Sequence, residues 1–359
     1  MAVHFHKLKV VEVKKQTPDC VCIEFEIPGE LQQIFAFQQG QNITIKKNIG
    51  GEEIRRSYSI CSAPFENKLS VAVKKVEGGK FSLYANNELN AGDDLDVLPP
   101  TGKFNTQLQL ENKKQYLAFA AGSGITPVIS IIKTTLYAEP KSSFTLVFGN
   151  RGRSSIIFFE ELEALKNKYI DRFNLINILS REKTDAPINS GRIDLNKLIE
   201  LDKLLGYAGT DEFFICGPEE MIFCIKGFLE QHGVEKKNIH FELFTTPGQN
   251  QKAVINPLRE MSRSTGTSKI TVKLDGRSFD FELGFNGDTI LDAALKQGAD
   301  LPFACKGGVC CTCKAKLLEG EAEMEVNWGL EQEEVEQGFI LTCQSHPVTE
   351  KVVIDFDIK

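Results

Sequence analysis

The sequence predicts a multidomain fold: an antiparallel β-barrel, then an α/β domain with a doubly wound parallel sheet, then a small α+β domain. Three observations carry this expectation: a length of 359 residues, two abrupt changes of hydrophobic periodicity, and a cysteine-dense loop toward the C-terminus. The length exceeds one small module and suits two or three ordinary domains. With 42% hydrophobic and 25% charged residues, the composition excludes disordered and fibrous classes.

Residues 1–111 alternate apolar and polar side chains in short runs (LKVVEV, CVCIEFEI, NITIKK, LSVAVKKV) separated by Pro, Gly and Asn clusters, the pattern of antiparallel strands closing into a barrel. Over 112–244 the pattern becomes buried strands (YLAFAAG, FTLVFGN, FNLINILS, EFFICGP) alternating with helical stretches (PVISIIKTTLYAE, IIFFEELEALKNKY, EEMIFCIKGFLEQHG), which predicts a parallel sheet covered by helices. Residues 245–268 are rich in Thr, Ser, Gln, Asn and Pro and read as a linker. The last segment, 269–359, opens with a hairpin-like pair, KITVKLDG and RSFDFELG, followed by a helical DTILDAALKQG and the cysteine loop.

The ten cysteines are spread along the chain, and the N-terminus MAVHFHKLKV lacks the apolar core of a signal peptide, so the expected setting is a reducing cytoplasm. The longest apolar stretch, from Tyr116 to Ile132, is broken by Gly122, Gly124 and Pro127, so no membrane insertion is expected. Lys plus Arg number 42 against 49 Asp plus Glu, a net charge of -7, which argues against nucleic acid as a partner.

The strongest chemical signal is CKGGVCCTC, in which Cys305, Cys310 and Cys313 follow a C-x4-C-x2-C spacing and Cys343 arrives later in LTCQ. This is the plant-type 2Fe-2S ligand pattern: soft thiolates for two irons, with Gly307 and Gly308 allowing a tight loop. Zinc ribbons instead show two close CxxC pairs. Cys311 falls between two ligands and is assigned as a non-ligand, because choosing it over Cys310 gives an x5-x1 spacing. Cys20, Cys22, Cys61 and Cys224 lie in apolar strands or helices and read as core residues.

Two further motifs are weaker alone. Arg55-Arg56-Ser57-Tyr58-Ser59 places guanidinium, aromatic ring and hydroxyl together on a strand, suited to a pyrophosphate and a flat ring, although taken alone an ordinary surface strand explains it better. Gly78-Gly79-Lys80-Phe81-Ser82 is a glycine turn entering a helix, a seat for phosphate on backbone N–H groups. In the second domain, Gly122-Ser123-Gly124-Ile125-Thr126-Pro127 joins a buried strand to a helix start without the third glycine of the Rossmann fingerprint. Cys216-Gly217-Pro218 ends a later strand.

Arg56, Tyr58 and Ser59 with Gly79 and Ser82 resemble the FAD-binding barrel of the ferredoxin-NADP reductase superfamily. The resemblance implies that Tyr58 stacks on the isoalloxazine, that Ser59 lies near its hydride-accepting nitrogen, and that Arg56 holds the pyrophosphate. It also implies that Cys216, Gly217 and Pro218 lie near the nicotinamide and that Glu242 or Phe244 lies beside the flavin. Ser180 and Arg181, after FNLINILS, suit the 2'-phosphate of NADPH, so NADPH is favoured over NADH as donor; an arginine in a solvated loop gives the same sequence. Arg192 is a further candidate.

The third segment resembles a β-grasp ferredoxin. The order of flavin, nucleotide and ferredoxin modules, with LPFACKGGVC and SRE, is most similar to reductase components of multicomponent di-iron oxygenases, those of phenylacetate degradation in particular. This implies electron flow from NAD(P)H through FAD and a 2Fe-2S cluster to the oxygenase subunits, with epoxidation of phenylacetyl-CoA as the terminal reaction. A reductase for another hydroxylase or for a fatty acyl desaturase has the same motifs. A redox-sensing iron–sulfur protein, supported by Cys311 alone, is the alternative of another class.

Overall fold

The computed structural model describes residues 4–244 and 266–358, so the expected linker lies outside the described residues except for its last three positions. The chain divides into two compact units, one holding the parallel sheet and all of the barrel but Arg55–Ser57, the other holding those three residues and the cysteine-rich segment.

Six strands form the first sheet: β1 (His6–Thr17), β2 (Cys20–Glu26), β3 (Asn42–Ile49), β4 (Glu52–Ser59), β5 (Leu69–Lys74) and β6 (Asp94–Val97), in the order β4-β3-β6-β1-β2-β5. An antiparallel bridge from Ile60 to Val71 brings the two edges together, so the sheet closes as the alternating pattern predicts. Leu8, Val10, Ile23, Ile43, Ile45 and Val71 point inward and are fully buried. Helix α1 (Lys80–Asn87) follows β5 and adds Phe81 and Ala85 to this core.

The second sheet is wholly parallel. Its strands are β7 (Gln115–Ala121), β8 (Ser143–Asn150), β9 (Phe173–Leu179), β10 (Glu212–Gly217) and β11 (Ile239–Leu243), in the order β11-β10-β7-β8-β9. Helices α2 (Ile125–Ala138), α3 (Phe159–Lys168), α4 (Leu195–Leu205) and α5 (Glu219–Gln231) supply the crossovers. Helix α4 is an addition to the sequence reading. Asp194 caps it by accepting from Lys197 N at 3.0 Å, and Gly206 ends it in the left-handed region. The strand order reverses between β7 and β10, which puts a crevice at their carboxyl ends.

Barrel and parallel sheet share a core. Cys20, Cys61 and Ala72 on the outer face of the barrel join the cluster formed by Ile129, Ile132 and Phe144. Polar ties reinforce it: Ser130 Oγ donates to Ser62 O at 2.6 Å, and the buried Lys133 ammonium bonds Glu66 and Glu161 at 2.9 Å each. A buried lysine with two carboxylate partners keeps its charge.

The second unit is built on β12 (Thr267–Leu274), β13 (Arg277–Gly284), β14 (Lys314–Glu319), β16 (Phe339–Leu341) and β18 (Lys351–Asp355), in the order β13-β12-β18-β14-β16, with β15 (Ala322–Met324) paired to β17 (Ser345–Pro347). Strand β12 begins two residues before the expected boundary. Its pairing with β18 is parallel and the other pairs are antiparallel, the mixed sheet of a β-grasp. The hairpin turn is Asp275-Gly276, both at positive φ as a type I′ turn demands. Asp357 accepts from both of their N–H groups at 2.9 Å, which holds its carboxyl below the usual range. Helix α6 (Ile290–Lys296), capped by Thr289, lays Ile290, Leu291 and Ala294 onto this sheet, and the short α7 (Gln332–Glu336) follows in the acidic segment.

Candidate functional site

At the carboxyl ends of β7 and β10 lies a cavity of about 730 Å3, lined by Ala121, Gly122, Ser123, Gly217, Pro218, Arg151, Arg192, Ser180, Lys74 and Phe244 among others. Two glycine motifs make it. Gly122 takes φ +54, and a Cβ at Gly124 would lie 2.1 Å from Cys216 O, so the two loops pack backbone on backbone. The remaining motif residues support the turn from beneath: Thr126 Oγ1 donates to Ser123 O at 3.0 Å, and Gly124, Thr126 and Pro127 are buried. The surface open to a dinucleotide is therefore Gly122-Ser123 and Gly217-Pro218. Volume, glycine backbone and cationic lining fit a dinucleotide.

The cationic lining differs from the expectation at SRE. Ser180 lines the cavity, its hydroxyl donating to Asn150 O at 3.2 Å. Arg181 is exposed and absent from the lining: its N–H continues the strand ladder to Arg151 O, and Glu182 accepts from Arg153 N at 2.6 Å, fixing the loop with the guanidinium outward. Arg151 and Arg192 line the cavity instead. Arg151 carried no sequence signal beyond its place after β8. Cys224, expected in the core, is half-buried and lines the cavity.

On the barrel, β4 carries Arg56, Ser57, Tyr58 and Ser59. Arg56 is half-buried and its Nη1 donates to Arg55 O at 2.7 Å; Ser57 is half-buried. The Tyr58 ring stands 5.4 Å from that of Phe81. Gly79 caps α1, and Ser82 Oγ is engaged within the turn, donating to Gly79 O and accepting from Val76 N, both at 3.1 Å. Ser82 thus shapes the turn, and the seat for phosphate falls to backbone N–H groups.

Ser59 is buried and its hydroxyl donates to Glu242 Oε2 at 2.8 Å, joining the barrel motif to the last strand of the parallel sheet. Glu242 sits opposite Cys216 in the β10–β11 ladder. Burial pushes its carboxyl up to about 7, against hydrogen bonds from Ser59 and Asn42 that favour the charged form. Asn42 had no signal in the sequence. Phe244, two residues after Glu242 in the chain, is 43% exposed and lines the cavity. An aromatic ring, a cationic strand and buried polar groups at one barrel end fit a flavin.

In the second unit, Cys310, Cys313 and Cys343 are buried and Cys305 partly so. Their sulfurs fall into two pairs. Cys305 interacts with Cys310, and its thiol is lowered to about 5 by that contact together with the N–H groups of Gly307, Cys310 and Val309. Cys313 interacts with Cys343. Among the described residues no three His, Cys, Asp or Glu side chains converge as on a single ion. These four thiols fit the ligand set of a two-iron centre. Lys306 and Gly308 at positive φ bend the loop. Cys311, also at positive φ, donates its thiol to Gly329 O at 2.9 Å.

Three family descriptions match the chain: an oxidoreductase FAD-binding domain over residues 7–106, an oxidoreductase NAD-binding domain over 119–227 and a 2Fe-2S iron–sulfur cluster binding domain over 272–348. The chain is 47% identical to a component of the 1,2-phenylacetyl-CoA epoxidase of Escherichia coli (strain K12), covering 99% of this chain and 98% of the relative. It is 33% identical to the ferredoxin reductase component of 3-ketosteroid-9-alpha-monooxygenase of Rhodococcus rhodochrous, covering 97% and 96%. Among solved structures, phthalate dioxygenase reductase has the same fold, with a TM-score of 0.59 and 22% identity over 98% of both chains. No helix among the described residues is long and apolar enough to cross a membrane.

Proposed function

The chain belongs to the family of reductase components of oxygenase systems that carry FAD, NAD and 2Fe-2S modules, and from that premise we propose that it delivers electrons from NADPH to the di-iron oxygenase subunits that epoxidise phenylacetyl-CoA. FAD, when bound, supplies the conversion of a two-electron donor into single electrons for the cluster. The observation that carries this reading is the 47% identity, over nearly the whole of both chains, to a component of the 1,2-phenylacetyl-CoA epoxidase, and the Ser59–Glu242 hydrogen bond, which sets the barrel motif against the strand beside Cys216, supports its flavin-to-nucleotide part.

In this reading the chain's own residues chiefly place cofactors. Tyr58 supplies a face for the flavin ring, Arg56 and Ser57 with the Gly79 turn hold its phosphates, and Ser59 with Glu242 orders the edge that meets the nicotinamide. Gly122 and Gly217 admit the dinucleotide to the backbone. Arg192 and Arg151 take the part that the SRE motif suggests for Arg181, beside Ser180. Phe244 covers the cavity wall, and Cys216 packs under the nicotinamide end as a neutral thiol, since burial pushes it up. Cys305, Cys310, Cys313 and Cys343 ligate the irons. The setting is the reducing cytoplasm.

Anaerobic titration tests this. The purified protein is expected to contain FAD and iron, and NADPH should bleach both the flavin and the cluster absorbance; a cluster that stays oxidised with either nucleotide overturns the reading. Addition of the oxygenase subunits of the epoxidase should then reoxidise the cluster in air with product formation. Reoxidation only by another hydroxylase or by a desaturase reassigns the acceptor.

A further inference from the structure

Asn42 belongs to none of the barrel motifs, yet it stands at the junction of barrel and parallel sheet. It opens β3, is 6% exposed, and its backbone pairs with Thr101 in both directions at 2.8 Å. Its side chain bonds the Glu242 carboxyl that Ser59 also holds. Its amide oxygen is buried and has no hydrogen-bond partner among the described residues, and neither has Thr101 Oγ1. A buried acceptor left idle is unfavourable, so its place in the fold calls for a use. Gly102, at φ +115, leaves room for the amide: a Cβ there would lie 2.9 Å from Asn42 Nδ2.

A carboxyl group that titrates needs different partners in its two forms. The carboxylate needs donors, while the acid needs an acceptor for its O–H. Ser59 supplies a donor. An amide supplies both, because a half-turn about its last bond exchanges NH2 for C=O. We propose that Asn42 is a positioning residue for Glu242, donating to its carboxylate and accepting from its carboxylic acid, so that the carboxyl changes protonation in place without losing its partners.

The groups that act on Glu242 are Asn42 from β3 and Ser59 from β4, and Glu242 in turn acts on the buried thiol of Cys216, its partner across the ladder on β10. Burial pushes the Glu242 carboxyl to about 7, so both forms are populated near neutral pH. The inference rests on the reading of Glu242 as a group at the flavin edge, but its test does not depend on turnover.

The test is infrared titration of the oxidised, flavin-loaded full chain, following a carboxylic-acid band that disappears in Glu242→Gln. With Asn42→Leu, of similar size and without the amide, the midpoint of that band should rise, because the charge-assisted bond to the carboxylate is stronger than the bond accepted from the acid, and the acid band itself should change frequency as its O–H loses the acceptor. Asn42→Asp should raise it further, since a second carboxylate disfavours charge on the first. A midpoint unchanged in both variants overturns the proposal, as does loss of flavin from both, which would assign Asn42 to cofactor binding. Anaerobic bleaching of wild type by NADPH is read separately: if bleaching fails while the midpoint shifts as expected, the electron-transfer reading falls and the role of Asn42 stands.

Discussion

Glu242 ties stability to pH in an unusual sense. Its carboxyl is raised from 4.5 to about 7 by burial, so the folded chain binds a proton more tightly than the unfolded chain. Its contribution is therefore fully present below about pH 4.5 and is lost as pH rises through 7. Glu242→Gln removes the titration, so the wild type should lose stability relative to this variant between pH 5 and 8, by roughly 2–3 kcal/mol at most; denaturant unfolding at each pH measures it. Parallel loss in both proteins would show that Glu242 is not the group. At the cysteine loop, the Cys311 thiol is engaged by Gly329 O, so Cys311→Ser should keep iron and visible absorbance near wild type. Cys310→Ser should lose both, because its sulfur is one of the Cys305 pair. At the nucleotide cavity, Arg192→Ala should raise KM for NADPH by about tenfold with little change for NADH, while Arg181→Ala should leave both nearly unchanged. The opposite ranking would restore the assignment made from SRE.

The elements that were legible in sequence are those with a strong local period or a fixed turn chemistry. The buried strands of the parallel sheet, the hairpin of KITVKLDG and RSFDFELG and the helix within DTILDAALKQG stand where their sequence patterns put them. The boundaries and contacts set by tertiary packing were not legible. Arg181 reads as a phosphate ligand because the strand-to-loop position is right, but the Glu182 contact to Arg153 N sets the loop. Asn42 opens an ordinary alternating strand, and only folding brings it to Glu242, 200 residues later in the chain. The two glycine turns show the same coupling between elements. Gly124 opens α2 with ordinary φ, so a local reading allows alanine there. A Cβ, however, would lie 2.1 Å from Cys216 O and 2.5 Å from its carbonyl carbon, both backbone atoms that cannot swing aside. Gly124→Ala should therefore separate the β7 and β10 loops, costing about 1–3 kcal/mol in thermal unfolding and raising KM for either nucleotide by about tenfold. Normal affinity in this variant would mean that the two loops need not touch.

Charge is distributed by module, and this has a consequence for the whole molecule. Of the 49 Asp plus Glu, 17 lie in residues 269–359 against 9 Lys plus Arg, so that segment carries a net -8 while the rest of the chain is at +1. Within it, Glu321, Glu325, Glu331, Glu333 and Glu336 are exposed along β15, α7 and their flanks, between the third and fourth cysteines of the cluster loop. Part of the acidity is neutralised locally, by Lys314 on Glu334 and Lys351 on Glu319, at 3.1 and 2.8 Å. The remainder forms a field of one sign around the module that hands on single electrons. Such a field raises the rate of encounter with a basic surface and is screened over about 8 Å at physiological ionic strength. The reduction of the oxygenase partner should therefore slow by about tenfold or more between low salt and about 0.5 M salt when measured as a second-order rate constant. Hydride delivery from the nucleotide to the flavin uses the other unit, whose net charge is near zero but whose cavity is lined by Arg151, Arg192 and Lys74, and its salt dependence should follow nucleotide concentration and vanish at saturation. Stopped-flow measurement of the two steps separates them. Charge reversal of Glu331 and Glu333 to Lys should reduce the salt slope of the partner step and leave flavin reduction unchanged; a partner step indifferent to salt in the wild type would remove the acidic face from the account of docking.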